Sequence, residues 1–144
     1  MTTPENAEMR QLALKVLRQH AGPAAGGEAI AAAAQRAFDD LARVSVPLIG
    51  QVGVEALAGR AVHLAQREHQ WLVCTRAPEQ PEELFAQVAS CIERQDPAVA
   101  TEGAGAVFAA LTRLLVTFIG EPLTARLLRQ AWPYAFSDVS TEEI

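Results

Sequence analysis

The sequence predicts an all-α protein, a single compact bundle of about six helices joined by short loops. Three observations lead there. Ala occurs 28 times and Leu 15 times, against 5 Phe, 2 Trp and 1 Tyr. Ala and Leu lead the helix scale, whereas strands favour β-branched and aromatic side chains. No stretch alternates apolar and polar residues over six positions, and no Asn-Gly or Asp-Gly turn occurs. Finally, Pro, Gly and capping residues cut the chain into pieces of helical length. At 144 residues it is the size of one domain and can bury a core without staples.

The elements follow in order. Thr3 suits an N-cap with Pro4 at the first helical position, and Glu5 and Glu8 favour the positive end of a helix reaching about His20. Ala21-Gly22-Pro23 stops it. A second helix runs from about Gly27 to Leu48, with Ile30, Ala34, Ala37, Phe38, Leu41, Val44 and Leu48 at helical spacing. Pro47 should kink or end it. Ile49-Gly50-Gln51 turns the chain into a third helix, about 52–73. A linker from Cys74 to Gln80 contains Pro78, and Pro81 opens a fourth helix with Glu82 and Glu83 in its first turn. Asp96-Pro97 is the clearest cap and first-position pair and opens a fifth helix ending at Gly120. Glu121-Pro122 opens the sixth, which Pro133 stops after Trp132. The domain is thus 1–132, and 133–144 is a loose acidic tail. Leu48-Ile49-Gly50-Gln51 and Phe118-Ile119-Gly120-Glu121 echo each other as one helix–turn–helix solution used twice, with Gly supplying a positive φ. Four matching positions do not make a repeat.

Composition narrows the function. A net charge of −5 and a pI near 5.2 speak against non-specific nucleic-acid or anionic-membrane binding. Acidity concentrates at 77–96 and in the tail. Two Cys are too few for a disulfide framework and fit a reducing compartment. Met1 to Glu8 shows no signal peptide. The most apolar run, 103–120, carries Arg113 near its middle and reads as a buried helix, so the expected location is the cytoplasm.

No catalytic or metal signature is legible. Gly22, Gly26 and Gly27 follow no strand and precede no Lys-Ser/Thr. Glu68-His69 lacks the second His of a zinc helix, Cys74 and Cys91 stand alone, and no Gly-x-Ser-x-Gly occurs. Asp39 and Asp40 fit surface ion-pair lacing with Arg43 and Arg36 better than acid–base chemistry. No cofactor is expected.

On a helical wheel of 52–73, Leu57, Ala58, Ala61, Leu64, Ala65 and Leu72 share one face, and Arg60, His63 and Arg67 form a cationic ridge opposite. That ridge is a solvated face or a partner or anion contact. A phosphoacceptor role for His63 lacks the Lys-Gly expected soon after it. Glu68 falls between Leu64 and Leu72 on the apolar side, which calls for an ion pair, with Arg113 or Arg126 for example, for a polar group lining a pocket, or, so near the helix end, for a side chain that reaches solvent. Trp71 and Trp132 sit at helix ends and should lid the core or share a binding edge.

In the 97–120 helix, Leu111, Leu114 and Phe118 make a core stripe with Val107, yet the far side shows Ala109, Val116 and Ile119, with Phe108 and Leu115 at its margin. A helix apolar all round is either central in the bundle or packed on another chain. The expected function is a non-enzymatic regulatory or adaptor module acting through helix-face protein contacts as a homodimer, with no nucleic acid or membrane partner. Phe108, Leu115, Val116 and Ile119 are the expected self-association residues. The alternative is a small-molecule-binding bundle with a pocket between the 52–73, 97–120 and 121–132 helices, anchored by Glu68 and walled by Trp71 or Trp132.

Overall fold

A computed structural model describes residues 11–18, 26–72 and 83–133. The cap at Thr3-Pro4, the stop at Gly22-Pro23, the Cys74–Gln80 linker, the Pro81-Glu82 opening and the tail beyond Pro133 lie outside those residues. Among the described residues the chain is helical with no strand. The elements are α1 (residues 11–18), α2 (Gly27–Gln66), a 3₁₀ turn (Gln70–Leu72), α3 (Glu83–Glu93), α4 (Pro97–Ile119) and α5 (Glu121–Ala131).

The second and third expected helices are the two arms of α2. They meet at Gly50, whose φ of 84° and ψ of 160° lie in a region only glycine occupies readily. Pro47 stands inside the first arm, where it lacks the N–H that Arg43 O would otherwise accept from. The second arm ends at Gln66, well short of the expected residue 73. Asp96 is the N-cap of α4 with Pro97 in its first turn, as the sequence indicates, although the Asp96 carboxylate makes no capping hydrogen bond. Gly120 ends α4 and starts α5 with φ 92° and ψ 158°. Its N–H donates to Val116 O at 2.9 Å, and its carbonyl accepts from Thr124 N at 3.1 Å.

Gly50 and Gly120 therefore turn the chain through one conformation, 70 residues apart. The same register carries well beyond them. Ala34, Phe38, Leu41, Arg43, Val46, Ile49, Leu57 and Ala61 recur as Ala104, Phe108, Leu111, Arg113, Val116, Ile119, Leu127 and Ala131. Burial recurs with identity: Leu41, Val54, Ala58, Ala61 and Val62 are interior, and so are Leu111, Thr124, Leu128, Ala131 and Trp132. Arg43 and Arg113 are both exposed. The four-residue echo is thus the visible part of an internal repeat, a long helix, a glycine corner and a returning helix, each preceded by a shorter helix.

The repeats lie side by side. The carbonyls of Glu93 and Gln95 press against Gly27, so α2 starts beside the start of α4. Ser45 and Ile49 line one cleft with Leu111 and Leu115, so the first arm of α2 and α4 run parallel and both corners sit at the same end of the molecule. Each returning helix then packs on the other repeat. Val54 and Leu57 face Leu111 and Leu115 of α4, while Trp132, just beyond α5, donates its indole N–H to Ala37 O of α2 at 3.1 Å. Leu14 of α1 covers Gly105 of α4. The core is the seam of this intertwined pair, built from Ala34, Ala37, Leu41, Ala104, Val107, Phe108 and Leu111, with Leu17, Val88 and Ile92 closing it from α1 and α3. The many alanines along the seam let the two long helices approach closely, and burial of this apolar surface is the main stabilising contribution.

α4 is the central helix. Eleven of its residues, from Ala100 to Leu115, are buried. This corrects the second of the two readings of its apolar far side: Phe108 and Leu115, each 2% exposed, are interior and present no surface to another chain. Val116 and Ile119 are half-buried, and Ile119 packs on the core. By length and composition α2 and α4 are both apolar enough to cross a membrane, although α2 is bent at Gly50 and α4 is mostly covered by its neighbours.

Candidate functional site

The glycine corners place apolar side chains at the surface. Leu48 and Val52 flank Gly50 and are 47% and 79% exposed; Phe118, the repeat counterpart of Leu48, is 64% exposed. Pro122, the counterpart of Val52, is exposed as well. Because the two long helices are parallel, these four residues belong to one end of the molecule. The local cause is the turn itself. A helix that stops at a positive-φ glycine leaves the side chains just before and after it without a neighbouring turn to pack on. Charges of both signs surround the patch: Arg43 and Glu55 near one corner, Arg113 and Glu121 near the other. Gln51 Nε2 donates to Glu55 Oε2 at 2.8 Å, and Arg43 pairs with Asp40 at 3.4 Å.

Inside the Gly50 corner lies a small cleft lined by Phe38, Leu41, Ala42, Ser45, Ile49, Val54, Leu57, Leu111 and Leu115. It has room for about one water. Its lining is apolar except for Ser45, which is 2% exposed. The Ser45 Oγ is buried with no hydrogen-bond partner. Among the described residues that state is unusual. Thr112 Oγ1 donates to Phe108 O and Thr124 Oγ1 to Gly120 O, each at 2.8 Å. An unmatched buried hydroxyl costs about 1–3 kcal/mol. Sequence inspection missed Ser45 because it sits among apolar residues at a position that only the repeat register shows to be Leu elsewhere.

The residues singled out from the sequence are dispersed. Arg60 and His63 on the second arm of α2 and Arg67 at its C-cap are exposed, as a solvated ridge should be. Glu68 is exposed, so of its three readings it reaches solvent near the helix end, and its assignment to the apolar face is corrected. The helix ends at Gln66, so the wheel that put Glu68 between Leu64 and Leu72 no longer applies there. Trp71 lies over Gly103, where a Cβ would overlap its ring, and meets His69 edge-on with centroids 6.0 Å apart. Trp132 is 1% exposed and meets Phe108 edge-on at 5.8 Å. Trp132 is thus part of the interior, whereas Glu68 lies at the surface. Asp39 accepts from Gln35 Nε2 at 3.0 Å, and Asp40 takes Arg43 three residues on. Cys91 is a free, half-buried thiol. No group of three or more metal-ligating side chains occurs among the described residues.

No protein-family model matches the chain, and neither a curated protein nor a solved structure is similar to it.

Proposed function

We propose that this protein is a non-enzymatic regulatory or adaptor module of the cytoplasm that works through protein contacts and pairs with a second copy of itself. The observation that supports this reading is the apolar end formed by Leu48, Val52, Phe118 and Pro122. Large exposed apolar side chains gathered at one site mark an interaction surface more often than chance exposure. A second copy is the favoured occupant because the patch is doubled by the internal repeat. An isologous contact needs a self-complementary surface, and each corner offers apolar residues beside one cation and one anion. The contact surface is therefore the corner end and not the interior Phe108–Leu115 face. Arg60, His63 and Arg67 remain the proposed contact for a further partner or anion.

Native mass spectrometry and light scattering over a dilution series test this. The wild type is expected at twice the subunit mass of 15.4 kDa. The Val52→Arg, Phe118→Arg double variant is expected at the subunit mass with unchanged helical circular dichroism. A wild type that stays monomeric at high concentration overturns the pairing, and so does a double variant that dimerises as well as the wild type.

A further inference from the structure

We propose that Gly50 is a hinge through which the chain exchanges halves with a second copy. The corner straightens and α2 becomes one continuous helix. Each half of the dimer then combines α1 and the first arm of one copy with the second arm, α3, α4 and α5 of the other. Three observations point to this corner. First, Gly50 alone joins the two arms, and a Cβ built there meets nothing within 4 Å, so no packing around that residue holds the bend. The last carbonyls of the first arm and the first N–H groups of the second lack partners within their own arms, and straightening pairs them with each other. Second, the repeat makes the two corners unequal as hinges. Pro122 stands at the second helical position after Gly120, and its counterpart after Gly50 is Val52. In a continuous helix Pro122 has no N–H for Phe118 O, and its ring presses on that carbonyl. The Val52 N–H meets no such obstacle at Leu48 O. Pro47 adds none either, because it is already helical within the first arm. Third, Leu48 and Val52, both exposed at the bend, fall one turn apart on a single face of the straightened helix. Where the two long helices meet in the dimer, these side chains cover their counterparts.

Exchange of identical elements preserves the interior, since the packing of Val54 and Leu57 beside Leu111 and Leu115 re-forms between copies. The balance between the closed chain and the exchanged dimer therefore rests on the hinge and on protein concentration. Glycine at position 50 favours the bend twice, by accepting a φ of 84° and by its poor helix propensity, to which Gly53 adds. The exchange does not rest on the end-to-end pairing proposed above. That pairing leaves each chain closed and separates on dilution, whereas exchanged copies part only when the second arm leaves α4.

The test uses the full chain as wild type, Gly50→Ala, Gly120→Ala and Val52→Pro. Each is refolded from urea at high protein concentration, diluted, and followed over time by native mass spectrometry. The dimer that separates slowly reports exchange. Gly50→Ala is expected to raise its association constant at least roughly 30-fold, because each dimer releases two alanines from the corner conformation. Gly120→Ala is expected to leave it at the wild-type level. Val52→Pro installs the residue of the other corner in the first turn of the second arm, where a missing N–H is tolerated, and is expected to abolish the slow dimer, alone and combined with Gly50→Ala. A Gly50→Ala protein that refolds only as monomer overturns the proposal. So does a slow dimer that survives Val52→Pro, or one that Gly120→Ala raises equally. Should Gly50→Ala fail to refold, wild type is compared with Val52→Pro at the highest attainable concentration. A slow dimer in wild type alone supports the hinge, and equal amounts in both, including none, overturn it.

Discussion

Around Gly120 the inner surface is built from Leu111, Leu115, Thr124, Leu128 and Trp132, all buried; around Gly50 the equivalent positions hold Leu41, Ser45, Val54, Ala58 and Val62. The two corners share a backbone conformation within 8° in φ and 2° in ψ. At three of these five positions the first repeat has a much smaller side chain: Ser45 against Leu115, Ala58 against Leu128 and Val62 against Trp132. A cleft lies at the first corner, and Leu111 and Leu115 of the second repeat help to line it. A repeat can thus hold its backbone through a few small or glycine positions, Ala34 and Ala104, Ala61 and Ala131, Gly50 and Gly120, while the side-chain packing of its two copies diverges. Core packing near native density makes such divergence expensive unless something else occupies the space.

The largest expected difference between the copies lies at the ends of their returning helices. Trp132→Ala should destabilise by about 3–5 kcal/mol, because it empties a fully buried aromatic site and leaves Ala37 O without the indole donor. Val62→Ala, at the equivalent position, should cost only roughly 2 kcal/mol from two lost methyl groups and the small void they leave. Urea unfolding of the two variants measures this. Equal losses would mean that Val62 and Trp132 are not counterparts in packing.

The corners themselves should respond alike. Gly50→Ala and Gly120→Ala each force a Cβ into a positive-φ, extended-ψ conformation, at an expected cost of about 1–3 kcal/mol. Nothing lies within 4 Å of a Cβ at Gly50, and only Pro122 approaches one at Gly120, so the cost is conformational at both sites. Denaturant midpoints that fall by comparable amounts support one shared corner. A loss at only one of them would show that the other relaxes out of the glycine conformation.

Much of this was legible in the sequence, and the reasons are local. Gly50, Gly120, Asp96-Pro97 and Pro122 act through backbone dihedrals and a missing N–H, which depend on the residue itself and its immediate neighbours. The exposed ridge of Arg60, His63 and Arg67 followed from helical periodicity within one arm. What failed depended on distant parts of the chain. Glu68 was misplaced because helical periodicity was carried two residues past the true end at Gln66. Phe108 and Leu115 looked available because nothing in α4 itself reveals that α1, α2 and α5 wrap it. The repeat stayed hidden because outside the Ile-Gly pairs its matches are scattered singly and mixed with substitutions such as Ser45 against Leu115.

The smallest expected effect has the most to say about why the corners differ. Ser45→Ala removes a buried hydroxyl that lacks a partner and places a better helix former in α2, so it should stabilise the protein by about 1 kcal/mol. Thr124→Val is the matched change at the other corner, since it installs the residue type that the first repeat has at Val54. There the hydroxyl is bonded to Gly120 O, so its loss should destabilise by about 0.5–1.5 kcal/mol. Opposite signs at two sites in equivalent surroundings would show that the Ser45 hydroxyl does not serve the fold. Ser45→Ala would then raise the thermal midpoint while Thr124→Val lowers it. If Ser45→Ala instead destabilises as Thr124→Val does, the hydroxyl is satisfied in solution and the first corner is as complete as the second.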